Sequence, residues 1–114
     1  MVQPQPVTNG TNSLGQTAGE TDNGIGLVMV AYNNAADDSE ALKGLQNIVD
    51  QHVALLQKAK LYLPFKYLNY ADVSQDPFSS YGKRNKAHLE AVSVRYDPKK
   101  VFQKGVPGGF KLFA

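Results

Sequence analysis

The residues with the widest scope for chemistry lie together in Leu61-Tyr62-Leu63-Pro64-Phe65-Lys66-Tyr67-Leu68-Asn69-Tyr70. Read as an extended segment whose side chains alternate between faces, it sets Tyr67 and Asn69 on one side, and Leu68 and Tyr70 on the other. A phenol and a carboxamide sharing a face can hydrogen-bond a planar ring or polarise a substrate hydroxyl. Tyr62, Phe65, Tyr67 and Tyr70 add an aromatic wall around a single carboxamide, Asn69. That is the mostly apolar lining with few polar groups that a hydrophobic small molecule prefers. The same alternation also describes an aromatic core strand, and both readings stand at this point.

Other residues offer less. Cysteine is absent, which excludes disulfides, zinc–thiolate sites and thiol nucleophiles. His52 and His88 are far apart and neither starts an HExxH-like spacing, so no metal site is expected. His52 falls on the apolar side of a helical pattern, where a half-buried packing role is expected. Asp37 and Asp38 are an acidic pair that helix capping accounts for. Gly24-Ile25-Gly26 precedes a strand-like run, whereas a dinucleotide fingerprint follows a strand and opens a helix. Pro107-Gly108-Gly109 is a turn without a helix after it, and no G-x-S-x-G nucleophile elbow occurs.

The elements that must position the aromatic segment follow from periodicity. Gly26-Leu27-Val28-Met29-Val30-Ala31-Tyr32 predicts a strand apolar on both faces. Asp37, as N-cap with Glu40 three residues on, predicts a capping box. From there Leu42, Leu45, Val49, His52 or Val53, Leu56 and Ala59 predict an amphipathic helix to about Lys60. A second helix is predicted from about Ser79 or Lys83 to Arg95, stopped by Asp97-Pro98. Further short strands are expected at Tyr62–Tyr70 and Phe110–Phe113. The expected fold class is α+β: a small antiparallel sheet of two or three strands packed against two helices. Residues 1–24, rich in Gly, Pro, Asn, Thr, Gln and Ser, are expected to be loop or disorder, with the folded part at 25–114. So few strands for a two-faced apolar run predict exposed apolar surface, and with it a homodimer or another tight partner.

A chain of 114 residues bounds the answer to one domain at most. No run of 18 apolar residues occurs, so no membrane span is expected. Met1-Val2-Gln3-Pro4-Gln5-Pro6 has neither a basic n-region nor an apolar h-region, and an intracellular location is the expectation. The net charge of +2 hides an asymmetry. Residues 1–76 carry four basic and eight acidic side chains, a net of −4, and residues 77–114 carry eight and two, a net of +6. The cations are spread along the chain without a nucleic-acid-binding motif, so a solvated face, or pairing with the acidic half, is expected and nucleic acid is not.

Taken in order, Tyr67-Leu68-Asn69-Tyr70-Ala71-Asp72, then Ser80-Tyr81-Gly82, then Tyr96-Asp97-Pro98-Lys99-Lys100-Val101-Phe102 resemble the C-terminal signature of the berberine-bridge-enzyme-like FAD-linked oxidases. The resemblance covers roughly residues 65–113, and the ending Pro107-Gly108-Gly109-Phe110-Lys111-Leu112-Phe113 resembles fungal members acting in secondary metabolism. It implies a partial substrate domain followed by the family's C-terminal segment. Tyr67 would match a position near the reacting carbon, as proton relay or substrate-orienting phenol. Asn69 would match one near the flavin edge, and Tyr96 and Phe102 would be packing anchors; Tyr62, Phe65 and Tyr70 are the substrate-binding candidates on the aromatic-wall reading above.

The chain departs from that family in lacking an FAD domain, so FAD belongs to the parent family and none is expected on this chain alone. The expected function is that of a flavin-capping and substrate-binding part, inactive in redox chemistry by itself. The alternatives are a flavin-free cyclase or isomerase acting on a hydrophobic intermediate, or a non-catalytic subunit docking on an FAD-domain partner.

Overall fold

The long helix α1 spans Asp38–Lys58. Ala41, Leu45, Val49 and Val53 recur every four residues, and these are its half-buried positions. The apolar stripe is thus narrower than the sequence pattern predicts. Leu42, Ile48, Leu55 and Leu56 stand exposed, and so does His52, whose Nδ1 lies 2.8 Å from the Ile48 carbonyl oxygen. A packing role for His52 is therefore not what the structure shows.

Entry to α1 also differs from the expected capping box. A 3-10 turn, Ala35–Asp37, precedes it, and Asn34 is the residue that caps, accepting from the Ala36 amide at 3.1 Å. Asp37 makes no side-chain cap bond. Asp38 accepts from the Tyr32 hydroxyl at 2.8 Å, and with Glu40 it stays in the first turn, where the helix dipole favours a negative charge. The exit is a Schellman arrangement: the Lys60 amide donates to Gln57 O at 3.0 Å and the Leu61 amide to Leu56 O at 2.9 Å. Lys60 takes the left-handed conformation, φ 59°, that glycine usually supplies there.

These features come from a computed structural model that describes Val2–Pro4, Leu14 and residues 24–113. Most of the expectation for residues 1–24 lies outside the described residues. Strand β1, Val2–Pro4, pairs with β2, Gly24–Gly26. This pair is the sheet found among the described residues; the larger one expected from 26–32, 62–70 and 110–113 is not formed there, and the architecture is a small, mostly helical fold. The run 26–32 leaves strand geometry after Gly26. Val28, Met29, Val30 and Tyr32 are exposed, and an apolar run holds strand form only when a neighbouring ladder takes its backbone bonds. Tyr62–Tyr70 and Phe110–Phe113 likewise contain no strand.

The chain divides into two compact units, one containing β2 and α1 and the other the remaining helices. In the second, Pro77–Ser80 form α2, Lys83–Tyr96 form α3 and Val101–Lys104 form α4. Asp76 caps α2 through the Ser79 amide at 3.0 Å, with Pro77 in the first turn, where its missing N–H costs nothing. α2 packs on α3. Between them Gly82 has φ 87° and ψ 151°, a conformation open essentially to glycine alone.

Tyr81, 5% exposed, and Pro77 form the buried centre of the described residues. Phe65 stacks on the Tyr81 ring at 5.7 Å between centroids, and Phe78 meets it edge-on at 5.9 Å.

The segment after α3 is tied to itself. The Asp97 carboxylate accepts from the Val101 amide at 2.8 Å and the Phe102 amide at 2.9 Å, capping α4. Gln103 Oε1 accepts from the Leu112 amide at 2.9 Å, Lys111 Nζ donates to the Val106 carbonyl at 2.7 Å, and Lys100 Nζ sits 3.9 Å from the Phe113 ring centre. Tyr96 and Phe102, expected as packing anchors, are exposed. The internal contacts of this segment are made by Asp97, Gln103 and the lysines instead.

Candidate functional site

Tyr67 is the extended residue at the start of a 3-10 turn, Leu68–Tyr70, closed by the Tyr70 amide donating to Tyr67 O at 3.0 Å. This corrects the strand reading in a way that matters chemically. In a strand, Tyr67 and Tyr70 point to opposite faces. With three residues per turn, positions three apart fall on one side. The two rings meet edge-on with centroids 5.1 Å apart. Asn69 still reaches Tyr67: its Nδ2 donates to the Tyr67 hydroxyl oxygen at 2.9 Å. Accepting that bond occupies a lone pair of the phenol and leaves its O–H as an outward donor.

Tyr67, Asn69 and Tyr70 are therefore brought together in the second unit, while Phe65, in the same unit, packs on Tyr81 instead. Tyr62 is half-buried and belongs to the first unit. Two contributors escape a reading of the aromatic segment alone. Ser80 accepts from the Lys66 amide at 2.9 Å and itself donates to the Pro77 carbonyl. Tyr81 supplies the ring beneath Phe65. The usable signal for both was the Ser80-Tyr81-Gly82 triplet, whose glycine takes the positive φ of the turn.

Electrostatics follow from these contacts. Burial pushes the Tyr81 phenol above its ordinary pKa, and Tyr67 adds to the effect. Hydrogen bonds from Ser79 hold the Asp76 carboxyl below the usual range, with smaller contributions from Lys86 and Lys66. Hydrogen bonds from Ser74 do the same for Asp72. Both acids are occupied as turn and cap acceptors, which leaves the phenol–carboxamide pair as the chemically open part. Among the described residues no cluster of metal-binding side chains occurs, and no helix is long and apolar enough to cross a membrane.

No protein-family model matches the chain, and no solved structure matches it. Curated proteins do. The chain is 42% identical over 81 residues, 71% of its length and 16% of the other's, to the FAD-dependent monooxygenase tpcD of Cochliobolus heterostrophus. It is 34% identical over 119 aligned positions to the bifunctional solanapyrone synthase of Alternaria solani, covering 98% of this chain and 23% of that protein. It is 38% identical over 120 positions to the FAD-dependent monooxygenase drtC of Aspergillus calidoustus, covering 96% and 22%. The chain thus spans about a fifth of the length of the curated relatives it matches. Two of these three relatives carry the name of FAD-dependent monooxygenases, which supports an FAD-linked, oxidoreductase-like family.

Proposed function

We propose that this chain is the C-terminal, flavin-capping and substrate-binding part of an FAD-linked oxidoreductase of secondary metabolism, of the berberine-bridge-enzyme-like kind. The observation that carries the reading is the Tyr67–Asn69 hydrogen bond beside Tyr70, in a chain that aligns along nearly all its length with a protein named an FAD-dependent monooxygenase. The donor set suits one part of the cofactor: a phenol and a carboxamide match the polar edge of a planar ring. Among the described residues no glycine-rich turn of the dinucleotide type opens a helix, so the pyrophosphate is left to another part of the enzyme.

When bound, the flavin supplies the electron acceptor, and the protein supplies position and electrostatics. Asn69 orients the Tyr67 hydroxyl. Tyr67 holds a proton at Oη and offers it, or a hydrogen bond, to the substrate. Tyr70 fixes the Tyr67 ring from the side, and Phe65 contributes apolar surface toward a hydrophobic substrate. Redox activity is not expected from this chain alone. The exposed Leu42, Ile48, Leu55 and Leu56 of α1 are the surface for an FAD-domain partner, or alternatively for a second copy of the chain.

The test replaces the matching segment of the drtC monooxygenase, which aligns with 96% of this chain, with the chain itself. The chimera should purify yellow and turn over. Tyr67→Phe should lose turnover while keeping flavin, and Asn69→Ala should weaken flavin or substrate binding by about 1–2 kcal/mol, the worth of one hydrogen-bonding group. Full turnover in both variants would remove the site assignment. The 114-residue chain alone should be colourless, and stoichiometric flavin in it would overturn the capping role.

A further inference from the structure

The two short motifs Tyr67-Leu68-Asn69-Tyr70 and Ser80-Tyr81-Gly82 are separated by a loop and a helical turn, yet the structure joins them at two points. The Lys66 amide, one residue before Tyr67, donates to Ser80 Oγ at 2.9 Å. Phe65, two residues before Tyr67, lies on the ring of Tyr81. Ser80 is itself anchored by donating to the Pro77 carbonyl, and Pro77 and Tyr81 are the buried centre of the described residues. The chain therefore leaves a rigid clamp at Phe65–Lys66 and enters the 3-10 turn that carries the phenol and the carboxamide.

We propose that Ser80 and Tyr81 are positioning residues for the Tyr67–Asn69 pair, so that the serine–tyrosine–glycine motif is the second half of the candidate site. This rests on the site reading given above, but its physical content is independent of any ligand. Hydrogen-bonding groups act usefully only when the shell behind them fixes their direction, and a displacement of about 1 Å is enough to spoil a reactive geometry. Tyr67 itself is half-exposed and held from the side by Asn69 and Tyr70, both exposed. The fixed reference for its backbone is the clamp behind it. The electrostatic influence of Tyr67 on Tyr81 agrees with the proximity of the two phenols. Gly82 completes the motif, because its positive φ turns the chain from α2 into α3 directly after Tyr81.

The experiment is solution NMR on the isotope-labelled 114-residue chain without flavin or substrate. The side-chain amide of Asn69 is assigned by its disappearance in Asn69→Asp. In Ser80→Ala the Asn69 amide should move toward its solvent-exposed shift and exchange with water about fivefold faster, the effect of losing roughly one hydrogen bond's worth of order. The backbone amides of α1 and α3 should keep their shifts. Ser80→Thr, which keeps a hydroxyl, should restore the Asn69 signal. Ser80→Cys, close in size but a weaker acceptor, should fall between alanine and wild type, and serves if the alanine variant disturbs α3. An unchanged Asn69 amide in the alanine or cysteine variant, with the Lys66 amide displaced, would overturn the proposal. Failure of the chimera test leaves this result untouched, so the two readings fail separately.

Discussion

At the scale of single residues, the phenol of Tyr81 carries the clearest consequence for pH. Its pKa is raised first by burial and then by Tyr67. A raised folded-state pKa means that the stabilisation is fully present below the ordinary phenol pKa of about 10 and is lost as pH rises through the raised value. The second unit should therefore loosen in alkali as Tyr81 ionises. Tyr67→Phe removes the second of the two causes, so the Tyr81 midpoint in an NMR pH titration should move down while staying above the ordinary value. An unmoved midpoint would mean that the two hydroxyls do not sense each other. That Tyr67 and Asn69 lie within reach of each other was legible in the sequence. Their geometry was not, because face alternation assumes a strand. A 3-10 turn, held by a backbone bond from Tyr70 to Tyr67, puts Tyr70 on the phenol's own side.

At the scale of elements, Asp97 does more than stop α3. Its two oxygens take the Val101 and Phe102 amides, which explains an acidic residue four positions before the valine of Tyr96-Asp97-Pro98-Lys99-Lys100-Val101-Phe102. Asp97→Ala should release both amides and cost about 1–2 kcal/mol locally, the usual worth of a cap. Hydrogen exchange at Val101 and Phe102 would report it, and unchanged protection there would show the cap to be idle. Helices were the readable part of this sequence. Periodicity placed α1 to within two residues at its C-terminus, and Pro98 placed the end of α3. Strands were misread for one physical reason. Residues 26–32, 62–70 and 110–113 have strand composition, but a strand exists only with a neighbour, and composition does not report neighbours. Capping was misassigned because Asn34, not Asp37, opens the helical path through a 3-10 turn.

At the scale of the whole molecule, apolar side chains outnumber the places to hide them. Leu42, Leu55 and Leu56 of α1, Met29 and Leu61 beside it in sequence, and Val101 and Phe102 of α4 all stand exposed. The proposed partner, an FAD domain or a second copy, would cover part of this surface. Light scattering of the purified chain at micromolar concentration should show association, which Leu55→Lys should weaken. A stable monomer would argue against a self-partner.

The scarcity of burial also has a calorimetric meaning. The heat-capacity increment of unfolding grows with the apolar area newly wetted, and ordinary domains show about 12–15 cal/mol/K per residue. With Tyr81 and Pro77 as the buried centre of the described residues, this chain in isolation should fall well below that figure, melt over a broad temperature range and respond shallowly to urea. Its stability curve should be flat, so cooling will gain it little, and a bound partner would sharpen its transition more than it raises the midpoint.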